Sequence, residues 1–477
     1  MRFSVLSHAG LLVEHAGVRL VSDPWLIGSC YWRSWWNLPE PPAALIDGLE
    51  IDYIYLTHLH WDHFHGPSLR RLLRPGVRVL VPKVPTRRML EDLDYLGFKD
   101  VIEIPHGSRF ELAPDFSLWS YQFGAAVDSA MVVEAGATTL LNANDTKHFG
   151  LPLKQITARF PRFDFVLRSH SSATPVPYCI EGQGNTFANL RSQRDYIEEF
   201  CRFALHVRAR HAVPFASNHC FLHRDTLRFN ATAVSPDDVA QRYAQLAEHA
   251  EFPSNCVVMP PGSRWSRANG FELASFDYAE RASYVESLRA RHAATLERQY
   301  ADEAAARVDV IAVDAYFAAF MRAVPRWLGR ALADRTSFVA RDVAGEHVWL
   351  LDFAAGRAQR VAAPDPAGIV IELPALVLND CARQRMFSVW SPSKRLSIRL
   401  GNPRQVGALN GVLNLLDFHE LDMLPLHRNF TLRALGVRLR RWRDALEAVA
   451  LLFKHRVLGR QFNMASLYEL PGASSGR

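Results

Sequence analysis

No Cys-x-x-Cys pair occurs in this 477-residue chain, and its six cysteines (Cys30, Cys179, Cys201, Cys220, Cys256 and Cys381) are scattered. That excludes a local zinc ribbon or four-cysteine iron–sulfur site and argues against a disulfide framework. No apolar run approaches the ~20 residues that cross a bilayer, and Met1 to Leu6 leads into strand-like sequence rather than a secretory apolar core. A reducing cytoplasm is the expected compartment, with no membrane span. Gly-x-x-x-x-Gly-Lys-Ser, a strand-linked Gly-x-Gly-x-x-Gly and Gly-x-Ser-x-Gly are all missing. A P-loop nucleotide hydrolase and a nucleophile-elbow serine hydrolase are thereby excluded. There is no internal repeat and no low-complexity block. Charge of one sign is also scarce: the net value is +6. Such a small excess favours anionic small molecules slightly and gives no reason to expect nucleic acid.

What is present is the composition of a folded globular protein, 49% apolar and 22% charged. The length calls for two or three domains. Much of the basic character falls near the end, at Arg433, Arg438, Arg440, Arg441, Arg443 and Lys454 to Arg456. A solvated helix face is the expected reading there.

The most informative stretch is Thr57-His58-Leu59-His60-Trp61-Asp62-His63-Phe64-His65-Gly66. It follows Ile51 to Leu56, an apolar, β-branched run that reads as a buried strand. A strand ending in clustered imidazoles and a carboxylate delivers nitrogen and oxygen donors to one point. That donor chemistry suits Zn, Fe or Mn better than Ca or Mg.

Residues 1–260 alternate strand-like and helix-like segments, with helices expected at Pro67 to Leu73, Thr86 to Tyr95 and Arg194 to Arg210. This order suggests layered sheets with helices outside, an α+β class. Residues 261–306 read as a helical linker, with one long exposed helix from Ala279 to Ala306. Residues 307–477 read as a C-terminal α+β domain: a helix from Val310 to Ala323, then strands near Thr336–Arg341, His347–Phe353, Ile369–Leu373 and Leu396–Leu400. Its strand rhythm is faintly similar to a sterol-carrier-type lipid-binding domain; a dimerisation or lid domain fits equally. The tail from Pro471 is polar.

His58-Leu59-His60-Trp61-Asp62-His63 resembles the H-x-H-x-D-H signature of the metallo-β-lactamase superfamily. Several segments resemble CMP-N-acetylneuraminate hydroxylase and its relatives: Asp23-Pro24-Trp25-Leu26, Trp35 to Pro42, Asp128-Ser129-Ala130, Leu141 to Asp145 and Val213 to Ser217. The similarity covers residues 3–235. It implies an αββα sandwich with two transition-metal ions at one edge of the sheets, iron favoured, zinc or manganese as alternatives. His58 and His60 would bind one ion, Asp62 and His63 the other. Asp145 would bridge them, offsetting the repulsion of cations held about 3.5–4 Å apart.

In the superfamily a third-motif histidine falls just before the segment matched by Asp128-Ser129-Ala130. Tyr121 to Val127 contains none. A water or substrate could fill that position, His148 or His170 could supply it, or the first site could be weak. For the last ligand the resemblance points to His219, then His170, then His223. His8 reads as an orienting or packing residue. Trp32, Trp35 and Trp36 could wall a pocket or form a lid or subunit contact. Arg168, Arg191, Arg194 and Arg224 could hold a carboxylate or phosphate.

Three functions follow. The first is a non-haem iron oxygenase acting on a small polar substrate, drawing electrons from a separate donor because the joint Cys-x-His and Cys-x-x-His ligand set of a Rieske domain is absent. The second is a Zn or Mn hydrolase of a phosphodiester, lactone or amide, with Asp62 as the catalytic residue positioning a metal-bound water. The third is a metal- or lipid-binding protein without catalysis, which the dense donor set argues against.

Overall fold

The computed structural model describes residues 1–124, 128–182, 192–458 and 464–468. Ala125 to Val127, Arg191 and the tail from Pro471 lie outside the described residues, as do the side chains of Lys454, His455 and Arg456.

Two mixed sheets face one another. The first has eight strands, in the order Gly270–Glu272, Arg264–Ser266, Arg2–Val5, Leu11–His15, Val18–Ser22, Tyr53–Tyr55, Arg78–Pro82 and Val101–Ile104. The second has seven: Asn255–Cys256, Ala209–Pro214, Phe163–Arg168, Thr138–Asn144, Asp128–Ala135, Phe116–Phe123 and Ser108–Ala113. Phe3, Val13, Leu20 and Leu80 from the first sheet meet Leu118, Met131, Val133 and Phe165 from the second in one buried layer. The outer faces are covered by helices. Gly66–Leu72 and Arg88–Leu96 pack on the first sheet. Gly150–Arg159, Gln193–His206 and Pro236–Ala247 pack on the second. This is the expected α+β class with the αββα layering.

Each sheet is antiparallel on one side and parallel on the other. Val18–Ser22, Tyr53–Tyr55, Arg78–Pro82 and Val101–Ile104 run parallel in the first sheet. Thr138–Asn144, Phe163–Arg168, Ala209–Pro214 and Asn255–Cys256 run parallel in the second. Parallel strands end together, and the loops beyond their carboxyl ends form the natural ligand crevice of such a sheet. Asp23, the run from Thr57 to His63, Asp145, His170 and His219 all follow ends of this kind.

The segment 261–306 differs from the expected helical linker. Arg264–Ser266 and Gly270–Glu272 form a hairpin that pairs with Arg2–Val5 and extends the first sheet. Strands of three residues are too short to carry a readable alternation. The long helix expected from Ala279 to Ala306 is two helices, Arg281–Arg291 and Ala293–Ala305. At the break, the His292 ring lies 4.1 Å from that of Trp36, and its Nε2–H donates to Glu40 Oε1 at 2.7 Å. Those contacts override helix propensity.

Downstream, five strands form a separate sheet, in the order Arg357–Val361, Gly345–Asp352, Thr336–Asp342, Ile369–Glu372 and Ser397–Leu400. Helices Val310–Ala323, Ala375–Gln384 and Val406–Glu420 share its core. Trp25, Tyr31, Trp32, Trp35, Phe221 and Phe229 of the N-terminal half belong to that same core. The C-terminal sheet and helices therefore pack directly on the loops beside the H-x-H-x-D-H run. Among the described residues, no helix is long and apolar enough to cross a membrane.

Candidate metal centre

The geometry starts at two adjacent strand ends. Ser22 and Tyr55 are paired, so Asp23 lies beside the loop that begins at Thr57. The Asp23 carboxylate accepts the Thr57 N–H at 2.8 Å, the Thr57 hydroxyl at 2.7 Å and the His63 Nδ1–H at 2.8 Å. Its left-handed backbone, φ 45°, turns the carboxylate back over the strand end. Across the crevice, Asn144 adopts φ 38° at the end of its strand. Its side-chain amide donates to the Ser129 carbonyl at 2.9 Å. Asparagine tolerates this conformation better than most residues, and the turn presents Asp145 to the histidines.

Two donor groups result. His58, His60 and Asp145 bring one ligand atom each within 4.8 Å of one another, and so do His8, Asp62 and His63. His58 Nε2 and His60 Nδ1 are 2.9 Å apart, the separation expected of neighbouring donors on one ion with bonds near 2.1 Å. His63 Nε2 lies 3.2 Å from Asp145 Oδ2 and 3.4 Å from Asp62 Oδ2, which links the two groups. Each group is two imidazoles and one carboxylate.

The donor chemistry fits cations. Asp23, Asp62 and Asp145 all converge on His63. Burial opposes a charge on His63, but Asp62 and Asp23 outweigh it and raise its pKa well above the usual value. Burial likewise opposes ionisation of Asp62, yet His63 holds that carboxyl far below its usual range; Asp145 is lowered through its bond to His63. Burial, with His63 and His60 beside it, keeps His58 neutral, as a ligand must be. His8 Nδ1 and His219 Nδ1 are buried without a hydrogen-bond partner among the described residues.

The expected ligands are distributed as follows. His58, His60, Asp62, His63 and Asp145 converge. His8 Nε2 lies 3.0 Å from Asp62 Oδ2, an orienting contact, and the residue falls within the second group. His219 stacks flat on Trp35, with centroids 3.6 Å apart, and its ring is 5.3 Å from that of His8. It stands beside the second group without joining it. His170 is buried, its pKa pulled down to about 3 by that burial. His223 points elsewhere, toward Glu303 and Asp225. His148 does not replace the missing third-motif histidine; its Nδ1 pairs with Thr146 Oγ1 at 3.1 Å and its ring packs on Phe123.

Asp128 is an acid near the centre that sequence reasoning did not assign to it. It opens its strand at the crevice, and its carboxyl feels the charges of His60, Asp145 and His63. Burial raises its pKa. Behind it stands Asp417 of the C-terminal helix, raised by burial, by Glu420 and by Asp128 itself. The signal was the Asp128-Ser129-Ala130 segment; an acid starting a strand is otherwise unremarked.

Tyr31 closes the other side. Its hydroxyl donates to Asp62 Oδ1 at 2.5 Å, so both Asp62 oxygens are engaged. Tyr31, Trp32 and Arg33 are three consecutive left-handed residues, with φ of 55°, 53° and 62°. The C-terminal half holds this turn: the Trp32 indole N–H donates to Asp380 at 2.8 Å, and Arg395 Nη1 donates to the Trp32 carbonyl at 3.0 Å.

Of the arginines considered for anion binding, Arg168 is committed to Glu199 at 2.7 Å. Arg224 lies over the Tyr300 ring, 4.3 Å from its centroid, and Arg194 is exposed on its helix. Near the C-terminus, Arg433 binds Glu103 and Arg441 binds Asp444, so part of that basic stretch is occupied.

No family model matches the chain. It is 26% identical over 320 residues to a putative Rieske 2Fe-2S iron–sulfur protein of Mycobacterium tuberculosis, spanning 64% of this chain and 61% of that protein. It is 31% identical over 152 residues to the cytidine monophosphate-N-acetylneuraminic acid hydroxylase of Xenopus laevis, spanning 30% of this chain and 26% of that protein. The chain resembles the metallo-β-lactamase superfamily, and its CMP-N-acetylneuraminate hydroxylase-like proteins in particular. It spans under two thirds of either of these relatives. Among solved structures it is similar to CmlA, a diiron β-hydroxylase from Streptomyces venezuelae, at 16% identity and TM-score 0.38, over 55% of this chain and 53% of that one. It is also similar to an isothiocyanate hydrolase from Delia radicum gut bacteria, at 16% identity and TM-score 0.39, over 56% of this chain and 99% of that one.

One Cys-x-x-His spacing does occur in this chain, from Cys220 to His223. Cys220 is buried with Trp36, Leu38 and Leu288, while His223 faces carboxylates. The spacing is not half of a Rieske site.

The Asp23 bond fixes His63 with Nδ1 protonated and Nε2 turned to the centre. Asp23→Asn is expected to weaken metal binding about 10–100-fold. Competition against a chelator measures this, and unchanged affinity would remove Asp23 from the role.

Proposed function

We propose that this protein is a metal-dependent enzyme with a dinuclear centre, a non-haem iron oxygenase hydroxylating or oxidising a small polar substrate. One observation carries the reading: each donor group is two histidines and one carboxylate, His58, His60 and Asp145 in one and His8, His63 and Asp62 in the other. That set leaves coordination positions open and is the ligand pattern of non-haem Fe(II) oxygenases. Similarity to a hydroxylase supports it. Bound iron would supply O₂ activation. The chain's own residues set the geometry: Asp23 orients His63, and Tyr31 and His8 hold Asp62. Trp35 supports the His219 ring, and Asp128 adds a carboxylate beside His60. A separate electron donor belongs to this reading, and the Rieske name of the mycobacterial relative suggests its type.

A zinc or manganese hydrolase is the second reading, favoured by the carboxylate placed between two donor groups. Asp62 is a poor base for it, because both of its oxygens accept hydrogen bonds and its carboxyl is held ionised. Metal analysis of protein purified without added metal decides between the readings, together with O₂ uptake in the presence of a reductant. Iron with reductant-dependent O₂ uptake is expected. Zinc, with phosphodiester, lactone or amide cleavage in the absence of O₂, would overturn the oxygenase.

A further inference from the structure

A cavity of about 550 Å³ lies between the N-terminal sandwich and the C-terminal helices. That is the size of a small-molecule site. Its wall on the sandwich side is the outer surface of the metal loop and of the left-handed turn, Trp61 with Tyr31, Trp32 and Arg33. Trp61 sits in sequence between His60 and Asp62. Its ring stacks on Tyr31, with centroids 5.8 Å apart and planes 14° apart, and lies 4.8 Å from Trp32. The Trp32 and Trp61 planes meet at 46°, so these rings offer an angled aromatic wall.

The charges of the wall do not balance locally. Arg88 is committed to Asp92 at 3.0 Å. Arg385 is committed to Asp422 and to the carbonyls of His419 and Glu420. The acids are also occupied: Asp380 accepts the Trp32 indole, and Glu420 accepts the Tyr316 hydroxyl and the Phe387 and Ser388 amides. Two guanidiniums remain. Arg33, half-buried, donates only to the Ser29 hydroxyl, at 3.1 Å. Arg70 has no hydrogen bond or ion pair among the described residues. Arg33 is partly buried without an anion, which is costly, and Arg70 is exposed at the rim; the planar fork of each matches carboxylate and phosphate oxygens.

We propose that this cavity binds a small molecule with a flat aromatic body against Trp32 and Trp61 and one acidic head, carboxylate or phosphate, held by Arg33 and Arg70. The inference adds a ligand site that backs on the metal loop of the proposed enzyme, since none of the residues of the two donor groups lines the cavity. Its recognition half stands on the cavity alone; only the coupling to catalysis, through the Tyr31 hydroxyl on Asp62, rests on the metal-centre reading.

Calorimetric titration of the full chain with indole-3-acetate, benzyl phosphate and neutral indole-3-acetamide tests it. One of the two acids is expected to bind saturably at one site, at least about ten-fold more tightly than the amide. The acid that binds identifies the head group. Arg33→Gln and Arg70→Gln should each weaken that acid about ten-fold and leave the amide unchanged. Arg70 is on an exposed helix face, so its replacement leaves folding intact, and thermal melting checks this. Equal affinity for acid and amide, indifference to both substitutions, or no saturable binding by any probe would overturn the proposal. Repeating the titration after chelator treatment separates the two claims: binding that persists without metal supports the cavity whatever reaction the centre performs.

Discussion

Asp145→Ala should release both metal ions and abolish activity with them. Among the described residues, Asp145 is the carboxylate that lies 3.2 Å from His63 Nε2 and also belongs to the His58–His60 group. Without it, two cations about 3.5–4 Å apart lose the charge that offsets their repulsion. His60→Ala should be nearly as severe, because it removes one of three donors from its group. Elemental analysis of purified variants should fall from about two ions per chain toward none in Asp145→Ala. Full occupancy in both variants would refute the centre as built from these residues.

Arg395→Ala carries the second large effect, on stability. Arg395 is fully buried, donates to the Trp32 carbonyl, and pairs with Glu303 at 2.9 Å and Asp225 at 3.1 Å. It joins three parts of the chain: the turn at the metal centre, the helix ending near Ala305 and the C-terminal sheet. Its removal leaves Glu303 with His223 and the Gln299 amide but without its guanidinium, and breaking a buried pair costs about 3–5 kcal/mol. Urea denaturation should show a loss of that size; under about 1 kcal/mol would mean the network is dispensable. The acid limb adds a signature. Burial would raise Glu303, but His223 and Arg395 hold it at about 2, below its usual 4.5. Its contribution is therefore complete above pH 4.5 and is lost as pH falls through about 2. In Arg395→Ala that window should narrow and acid unfolding should begin at higher pH.

Much of the centre was legible in the amino-acid order because four donors fall within six residues after one strand. Asp145 was legible through the order of superfamily motifs. The placement of His8 and Asp128 was harder to read, because nothing local separates a residue at a metal crevice from any polar residue at a strand end. Only the stacking of strand ends brings them to the crevice. The same limit hid the hairpin from Arg264 to Glu272, whose short strands exist by pairing with the N-terminus. Four of the C-terminal strands were readable from their β-branched and aromatic runs, but the polar edge strand Arg357–Val361 was not. Their packing onto the metal loop was not, since Trp32 and Asp380 are 348 residues apart.

The turn at Tyr31, Trp32 and Arg33 sets an order of events. Three L-residues in the left-handed region cost on the order of 3–6 kcal/mol together, and the groups that offset this, Asp380 and Arg395, leave the ribosome long after the turn itself. A nascent chain can assemble both sandwich sheets long before it can hold Tyr31 against Asp62. Maturation of the centre should thus trail synthesis of the whole polypeptide, and metal uptake during refolding should lag behind formation of the sandwich. A half-made copy would then hold no ion at this centre.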